Sequence, residues 1–139
     1  MHNPESPTPV RVLLVDDYPP WRQTLRSMLS QHQDLHVVGE VGDGEEAVRI
    51  ARELRPDLIL LDVGLPKLNG IEAAKRIGEI TPEAKIIFVT QNSDVDVVRA
   101  ALCNGALGYV LKPDAGSDLL PAIEAAMKGE RFVGGRVKS

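Results

Sequence analysis

The chain has 139 residues, a net charge of -4 and only 4% aromatic residues. This size suits one domain with a proper hydrophobic core, and the acidic balance argues against a nucleic-acid-binding surface on this segment. Cys103 is the only cysteine, which excludes an internal disulfide and a thiolate zinc site. The apolar runs are too short for a membrane span and there is no secretory signal pattern, so the expected compartment is the cytoplasm.

Five short apolar runs predict five strands. In chain order they are Val10–Val15, Leu35–Val41, Leu58–Leu61, Lys85–Thr90 and Leu107–Leu111. The third run is aliphatic at every position, which is typical of a central strand buried on both faces of a parallel sheet. Residues 1–9, before the first strand, are polar and rich in proline, and we expect them to form a disordered arm.

Helical periodicity and capping residues predict one helix after each strand. Pro19 and Pro20 suit the start of the first helix, because amides in a first turn need no intrahelical partner. The next three helices are expected to begin after N-cap residues, which in chain order are Asp43, Asn69 and Ser93. The fifth helix is expected to start at Ser117, which keeps Pro121 near the first turn. Its expected inner face consists of Leu119, Leu120, Ile123 and Met127.

Strands that alternate with helices predict an α/β domain with a parallel sheet and right-handed crossovers. Polar side chains stand at or directly after the ends of four of these strands. They are Asp16 and Asp17 after the first strand, Asp62 after the third, Thr90 at the end of the fourth and Lys112 after the fifth. Because ligands bind at the carboxyl ends of strands in open α/β sheets, we expect these side chains to share one pocket.

The composition of this pocket indicates phosphoryl transfer. Three carboxylates against one lysine leave excess negative charge, which a divalent cation would offset. An all-oxygen site favours magnesium, or manganese, over zinc. In phosphoryl transfer beside such an ion, Asp62 can act as the nucleophile, while Thr90 and Lys112 stabilise the phosphoryl oxygens.

These motifs, in this order, resemble the receiver domain of bacterial two-component response regulators. The motifs are Asp16-Asp17, Asp62-x-x-x-Pro66, Asn69-Gly70, Thr90 and Lys112-Pro113, and the resemblance covers residues 10–130. Local sequence is most similar to the LuxR/NarL/FixJ-type subfamily, whose receivers precede a helix-turn-helix DNA-binding domain. These local stretches are Asp43-Gly-Glu-Glu-Ala, Gly105-Ala-x-Gly-Tyr and Gly129-Glu-Arg-Phe. The resemblance implies a single doubly wound, flavodoxin-like (βα)5 domain with a parallel five-stranded sheet of order 2-1-3-4-5.

Position by position, the resemblance also implies roles for the metal and the phosphoacceptor. Asp62 would accept a phosphoryl group from the phosphohistidine of a histidine kinase. Asp16, Asp17, Asp62 and the backbone carbonyl of Gly64 would bind magnesium, with Asp17 the more direct ligand of the acidic pair.

The remaining implied roles concern the switch. Thr90 and Lys112 would contact the phosphoryl group, and the Lys112-Pro113 peptide would be cis. Tyr109 would rotate with Thr90 and alter the face formed by the fourth helix, fifth strand and fifth helix. A second copy of the chain or another partner would bind that face.

The glycine-bearing, basic tail, residues 131–139, is interpreted as the start of an interdomain linker. Residues 10–130 would then be the receiver of a longer transcription regulator that reaches DNA only through an output domain, with no membrane partner. A stand-alone phosphorelay receiver is the alternative.

The chain is expected to be a phosphoacceptor that assists its own phosphorylation and dephosphorylation rather than an enzyme. Two other classes of protein are alternatives to this interpretation. One is a phosphatase that turns over through an aspartyl phosphate. Such hydrolases pair the nucleophile with a second Asp two residues on, where this chain has Gly64. The other is an FMN carrier, whose phosphate Asp16 and Asp17 would repel.

Overall fold

The computed structural model describes residues 9–137, so all of the predicted disordered arm except Pro9 lies outside the described residues. The strands are β1 Val10–Val15, β2 Leu35–Val41, β3 Leu58–Leu61, β4 Lys85–Thr90, β5 Gly108–Leu111 and β6 Phe132–Val133. The helices are α1 Pro19–Ser30, α2 Gly44–Leu54, α3 Gly70–Ile80, α4 Val95–Cys103 and α5 Ala115–Met127. Within the described range no helix has the length and apolar character that a bilayer span requires.

The strands pair in parallel in the order β2-β1-β3-β4-β5-β6. The order predicted for the first five strands is confirmed. The predicted number of five strands is wrong, because the tail adds a sixth strand. Phe132 N–H donates to the Leu107 carbonyl at 2.8 Å and Gly134 N–H to the Tyr109 carbonyl at 3.0 Å. The carbonyls of Tyr109 in β5 and of Leu107 just before it thereby gain partners. The pairing spans two residues, which is too short to show a strand period in the sequence.

Helices cover both faces of the sheet, which makes the fold doubly wound. Successive strand residues point to opposite faces, so Leu13 and Val15 pack with α2, α3 and α4, whereas Val12 and Leu14 pack with α1 and α5. All four residues of β3 are buried. The central strand therefore lies between two apolar layers, as its unbroken aliphatic run predicts.

The caps of α2 and α3 are confirmed, and the cap of α4 is one residue later than predicted. The carboxylate of Asp43 accepts from Glu46 N–H at 2.8 Å, and Asn69 accepts from Glu72 N–H at 3.0 Å. In α4 the cap is Asp94, which accepts from the amides of Asp96 and Val97. A charged carboxylate is the stronger acceptor, which explains why Asp94 rather than Ser93 begins the helix.

The predicted start of α5 at Ser117 is wrong. The helix begins at Ala115 and contains Pro121 in its interior, which costs about 3 kcal/mol in an isolated helix. Burial of an apolar face offsets this cost; the buried residues are Ala115, Leu119, Ala122, Ile123 and Ala126. Leu119 and Ile123 therefore face inward as predicted, whereas Met127 is 38% exposed.

A short 3-10 turn, Lys112–Asp114, leads into α5. The Lys112–Pro113 peptide in this turn is trans, which corrects the predicted cis bond. Proline suits the first turn of a helix in its fixed φ range, and the trans isomer is the intrinsically favoured one for an X–Pro bond.

Two glycines fix the loop that follows β3. A Cβ on Gly70 would stand 1.9 Å from the Asp62 carbonyl oxygen, and a Cβ on Gly44 would stand 1.8 Å from the Leu68 carbonyl oxygen. Gly70 N–H also donates to the Val63 carbonyl at 2.7 Å. The start of α3 is thus pressed against the backbone of Asp62, which holds the end of β3 in place.

Replacement of Gly70 by alanine tests this close approach. We expect Gly70→Ala to lower the free energy of unfolding by at least about 2 kcal/mol, because its Cβ cannot fit without moving backbone. Gly78→Ala is the matched control in the same helix, since no atom lies within 4 Å of its added Cβ. It should raise stability by about 0.5–1 kcal/mol. Urea denaturation measures both, and equal effects of the two substitutions would contradict the packing described.

Candidate functional site

Strand register brings the predicted side chains to one edge of the sheet. Val15 pairs with Leu61, so the next residues, Asp16 and Asp62, leave adjacent strands at the same level. Leu111 pairs with Thr90, so Lys112 follows at the same edge from β5. The carboxyl ends of parallel strands share one side, and for this reason residues far apart in sequence meet there.

Lys112 joins two carboxylates across this edge. Its Nζ lies 2.7 Å from Asp16 Oδ2 and 3.3 Å from Asp62 Oδ2. Burial raises the pKa of Asp16, and the Lys112 ammonium offsets only part of this rise. Burial acts to lower the pKa of Lys112, but Asp16 and Asp62 outweigh it, so the pKa of Lys112 is raised. The lysine therefore stays cationic between its two acidic partners.

The acidic side chains form a set that fits a hard divalent cation. Asp16, Asp17 and Asp62 each offer a carboxylate oxygen, and these oxygens lie within 4.8 Å of one another. Asp16 Oδ2 is buried and receives no hydrogen bond of ordinary geometry from the described residues, and its sole charge contact is Lys112. Oxygen ligands and a solvent-facing Asp17 suit magnesium, which keeps several waters. The Gly64 carbonyl stays a predicted ligand.

An indole ring lies beside the lysine. Lys112 Nζ is 5.4 Å from the centroid of the Trp21 ring, within the range of a cation–π contact. Trp21 also packs against the apolar layer under α1 and α5. Trp21 therefore combines packing in the apolar layer with a contact to the Lys112 ammonium.

Thr90 and Tyr109 are connected through a residue that the sequence analysis missed. Asn92 N–H donates to Thr90 Oγ1 at 3.3 Å, and the Tyr109 hydroxyl donates to the Asn92 carbonyl at 2.6 Å. Gly134 N–H in turn donates to the Tyr109 carbonyl. A line of hydrogen bonds therefore runs from the end of β4 to the tail.

Asn92 acts through its backbone, so no side-chain signal in the sequence identifies it. Arg22 was also missed, and its Nη1 donates to the Asp16 carbonyl at 2.5 Å. The helical pattern of α1 places Arg22 in the first turn but does not reveal that β2 lies beside it.

Tyr109 is fully buried, and its ionisation provides a test of that position. Burial raises the pKa of Tyr109 to about 12, with further contributions from the charges of Asp62 and Asp94. Tyrosine in an unfolded chain ionises near pH 10, so the stabilisation is complete below about pH 10 and is lost as pH rises toward 12. We expect a fall of at most about 2.7 kcal/mol in the free energy of unfolding over this window.

Chemical denaturation at a series of alkaline pH values measures this fall. Tyr109→Phe lacks the ionising group and should show a shallower decline, with a lower stability at neutral pH because the hydrogen bond to Asn92 is lost. Identical alkaline slopes for the two proteins would contradict a buried, hydrogen-bonded Tyr109.

Comparison with known proteins agrees with this geometry. The family described as response regulator receiver domain matches residues 12–124. The transcriptional regulatory protein LiaR of Bacillus subtilis (strain 168) is 43% identical over 121 residues, which cover 87% of this chain and 57% of LiaR. The chain thus spans little more than half the length of this curated relative.

Solved structures extend the comparison to the fold. The crystal structure of a two-component response regulator of the LuxR family from Aurantimonas sp. SI85-9A1 superposes with a TM-score of 0.88 at 34% identity, covering 94% of this chain and 93% of that one. The isolated REC domain of RcsB from Salmonella enterica serovar Typhimurium, in the presence of phosphomimetic BeF3-, gives 0.86 at 30% identity, covering 94% and 96%. The chain therefore belongs to the response regulator receiver domain family, with relatives of the LuxR and NarL type.

Proposed function

We propose that the chain is a phosphorylation-controlled switch in which Asp62 accepts a phosphoryl group from the phosphohistidine of a histidine kinase. The observation that carries this proposal is the position of Asp62. It lies at the end of the central strand, is 9% exposed, and faces the Lys112 ammonium at 3.3 Å within the cluster of three carboxylates.

The transfer is a displacement at phosphorus. A carboxylate oxygen of Asp62 attacks, the phosphorus–oxygen bond forms, and the phosphorus–nitrogen bond of the phosphohistidine breaks with its electron pair going to the imidazole. Lys112 lies close enough to Asp62 Oδ2 to stabilise charge on the phosphoryl oxygens. Asp16, Asp17 and Asp62 would hold a divalent ion, which would supply electrostatic stabilisation of the same oxygens when bound.

The region beside Asp62 is open. A Cβ on Gly64 would find no atom within 4 Å, so this position neither blocks an incoming phosphodonor nor offers a general acid. This supports a phosphoacceptor rather than a hydrolase of the kind that needs a second Asp two residues on. The same opening admits water to the phosphorylated site.

The switch runs through Thr90. Once Asp62 carries a phosphoryl group, the Thr90 hydroxyl donates to it, and the Thr90 oxygen moves relative to Asn92 N–H. Tyr109 is bonded to the Asn92 carbonyl, so the movement reaches β5 and the start of α4. A shift from 1:99 to 99:1 requires about 5.5 kcal/mol, and hydrogen bonds to a charged group supply about 1.5–3 kcal/mol each.

The output of this switch is assigned by similarity. LiaR is named as a transcriptional regulatory protein, and we propose transcription regulation in the cytoplasm for the whole protein to which this chain belongs. The face formed by α4, β5 and α5 would bind a second copy or an output domain. DNA would be reached only through such a domain, and a stand-alone receiver is the alternative.

Phosphotransfer to two variants tests the acceptor. In the presence of magnesium, a histidine kinase or a small phosphodonor should label the wild-type chain, while Asp62→Asn should lose at least about 99% of the label because an amide is not a nucleophile here. Asp34→Asn is the control, since Asp34 is exposed next to the amino end of β2. Radiolabel retained after gel separation measures the transfer, and equal labelling of wild type and Asp62→Asn would refute the assignment.

Magnesium affinity tests the metal ligands. Asp17→Asn should weaken Mg²⁺ binding by at least about tenfold, because one elementary charge is removed from a cation site. Trp21 is the only tryptophan and lies beside Lys112, so its fluorescence offers a local reporter, with calorimetry as a second method. An unchanged dissociation constant in Asp17→Asn would exclude Asp17 from the site, and Asp34→Asn should behave as wild type.

A further inference from the structure

The acidic turn between β1 and α1 leaves its second carboxylate without side-chain support. Asp17 is exposed, and within residues 9–137 its carboxylate takes part in no hydrogen bond or ion pair. Asp16, by contrast, is anchored by Tyr18 N–H, which donates to its Oδ1 at 2.8 Å, and by Lys112. The direction of the Asp17 side chain therefore depends on the backbone of the turn.

Arg22 holds that backbone. Its Nη1 donates to the Asp16 carbonyl at 2.5 Å, and its Nε donates to Glu40 Oε1 at 3.2 Å. The Arg22 and Glu40 side chains are only 20% and 25% exposed. One guanidinium thus joins three elements, because it stands on α1, bonds the end of β1 and pairs with β2.

Glu40 keeps the guanidinium in this orientation. Burial opposes the ionisation of Glu40, but Arg26 and Arg22 together outweigh it and hold the pKa of Glu40 below its usual value. A Cβ on Gly42 would lie 3.6 Å from Arg22 Nη1 and 3.9 Å from the Asp17 Cα. The loop after β2 therefore closes over both the guanidinium and the acidic turn.

Peptide geometry converts this contact into control of a metal ligand. The Asp16 carbonyl lies in the same rigid plane as the amide nitrogen and Cα of Asp17. Fixing the oxygen of that plane limits the directions in which the Asp17 side chain can leave the backbone. Without Arg22, the peptide has more freedom to rotate. The entropy lost in ordering it when the ion binds would make ion binding weaker.

We propose that Arg22 is a positioning residue for the divalent-cation site, acting through the Asp16 carbonyl to aim Asp17. This inference rests on the magnesium site of the proposed function and adds to it a residue that binds neither the ion nor the phosphoryl group. Arginine is required because its fork reaches two acceptors in fixed directions, whereas a lysine ammonium offers one point of contact.

Two physical effects of Arg22 predict opposite results. Arg22 is a cation close to a cation site, so its charge alone would oppose Mg²⁺ binding, and removing it would tighten binding. Its positioning role requires the reverse. The sign of the change in affinity therefore separates the two, without reference to any phosphorylation activity.

The experiment is a Mg²⁺ titration of the metal-free full chain, followed by Trp21 fluorescence and by calorimetry. Arg22→Gln and Arg22→Lys should both weaken binding by about 10–100-fold, the usual effect of removing a residue that orients a metal ligand. Arg26→Gln is the matched control. Arg26 also pairs with Glu40, but no hydrogen bond joins it to Asp16 within the described residues. The Mg²⁺ affinity of Arg26→Gln should therefore equal or exceed that of the wild type.

A second readout needs no metal. In amide NMR spectra of the metal-free protein, Arg22→Lys should shift the resonance of the Asp17 amide, whereas Arg26→Gln should leave it in place. Arg22→Lys keeps the charge and the aliphatic stem, so it serves as the measured variant if Arg22→Gln unfolds. Urea denaturation identifies which variants are folded.

Each outcome is decisive. Wild-type or tighter Mg²⁺ binding by Arg22→Lys and Arg22→Gln would overturn the inference and leave the metal site standing. An equal loss in Arg26→Gln would also overturn it, since the effect would then belong to Glu40 and the fold. Failure of the wild type itself to bind Mg²⁺ would contradict the proposed site, and the inference with it.

Discussion

The contact on which this site depends is the ammonium of Lys112 between Asp16 and Asp62. Three carboxylates at one edge of the sheet repel one another, and burial makes the negative charge of Asp16 costly. A single lysine from β5 spans two strands to reach β3 and β1, so the charge balance of the site depends on strand order. The cluster therefore links the chemistry of the pocket to the topology of the sheet.

The molecule fixes some parts of this pocket and leaves others free. Gly70 presses on the Asp62 backbone, and Arg22 and Tyr18 hold Asp16, so the deep carboxylates have set positions. The Asp17 carboxylate faces solvent, and the space beside Gly64 is open. Such a division would suit the proposed phosphoacceptor, in which the Asp62 carboxylate stays in place and the phosphoryl group enters from the solvent side.

Hydrogen bonds connect the tail to the region beside this site. Gly134 bonds to the carbonyl of Tyr109, and the Tyr109 hydroxyl bonds to Asn92, beside the end of β4. Arg136 also pairs with Asp114 in the turn that follows Lys112. Residues after α5 therefore lie against the strand that would respond to phosphorylation in the proposed switch.

Much of this protein is determined by local sequence. Periodicity gives the bounds of β1 to β4, and capping chemistry gives the caps Asp43 and Asn69. The rule that parallel strands share a carboxyl edge gives the edge of the sheet at which the five polar residues lie. Tertiary structure decided the features that depend on contacts with residues distant in sequence. Examples are β6, which exists because β5 has open carbonyls, the Pro121 in α5, which packing tolerates, and Arg22, which matters because β2 lies beside it. Local patterns record what a segment prefers, whereas these outcomes depend on groups that only the folded chain brings together.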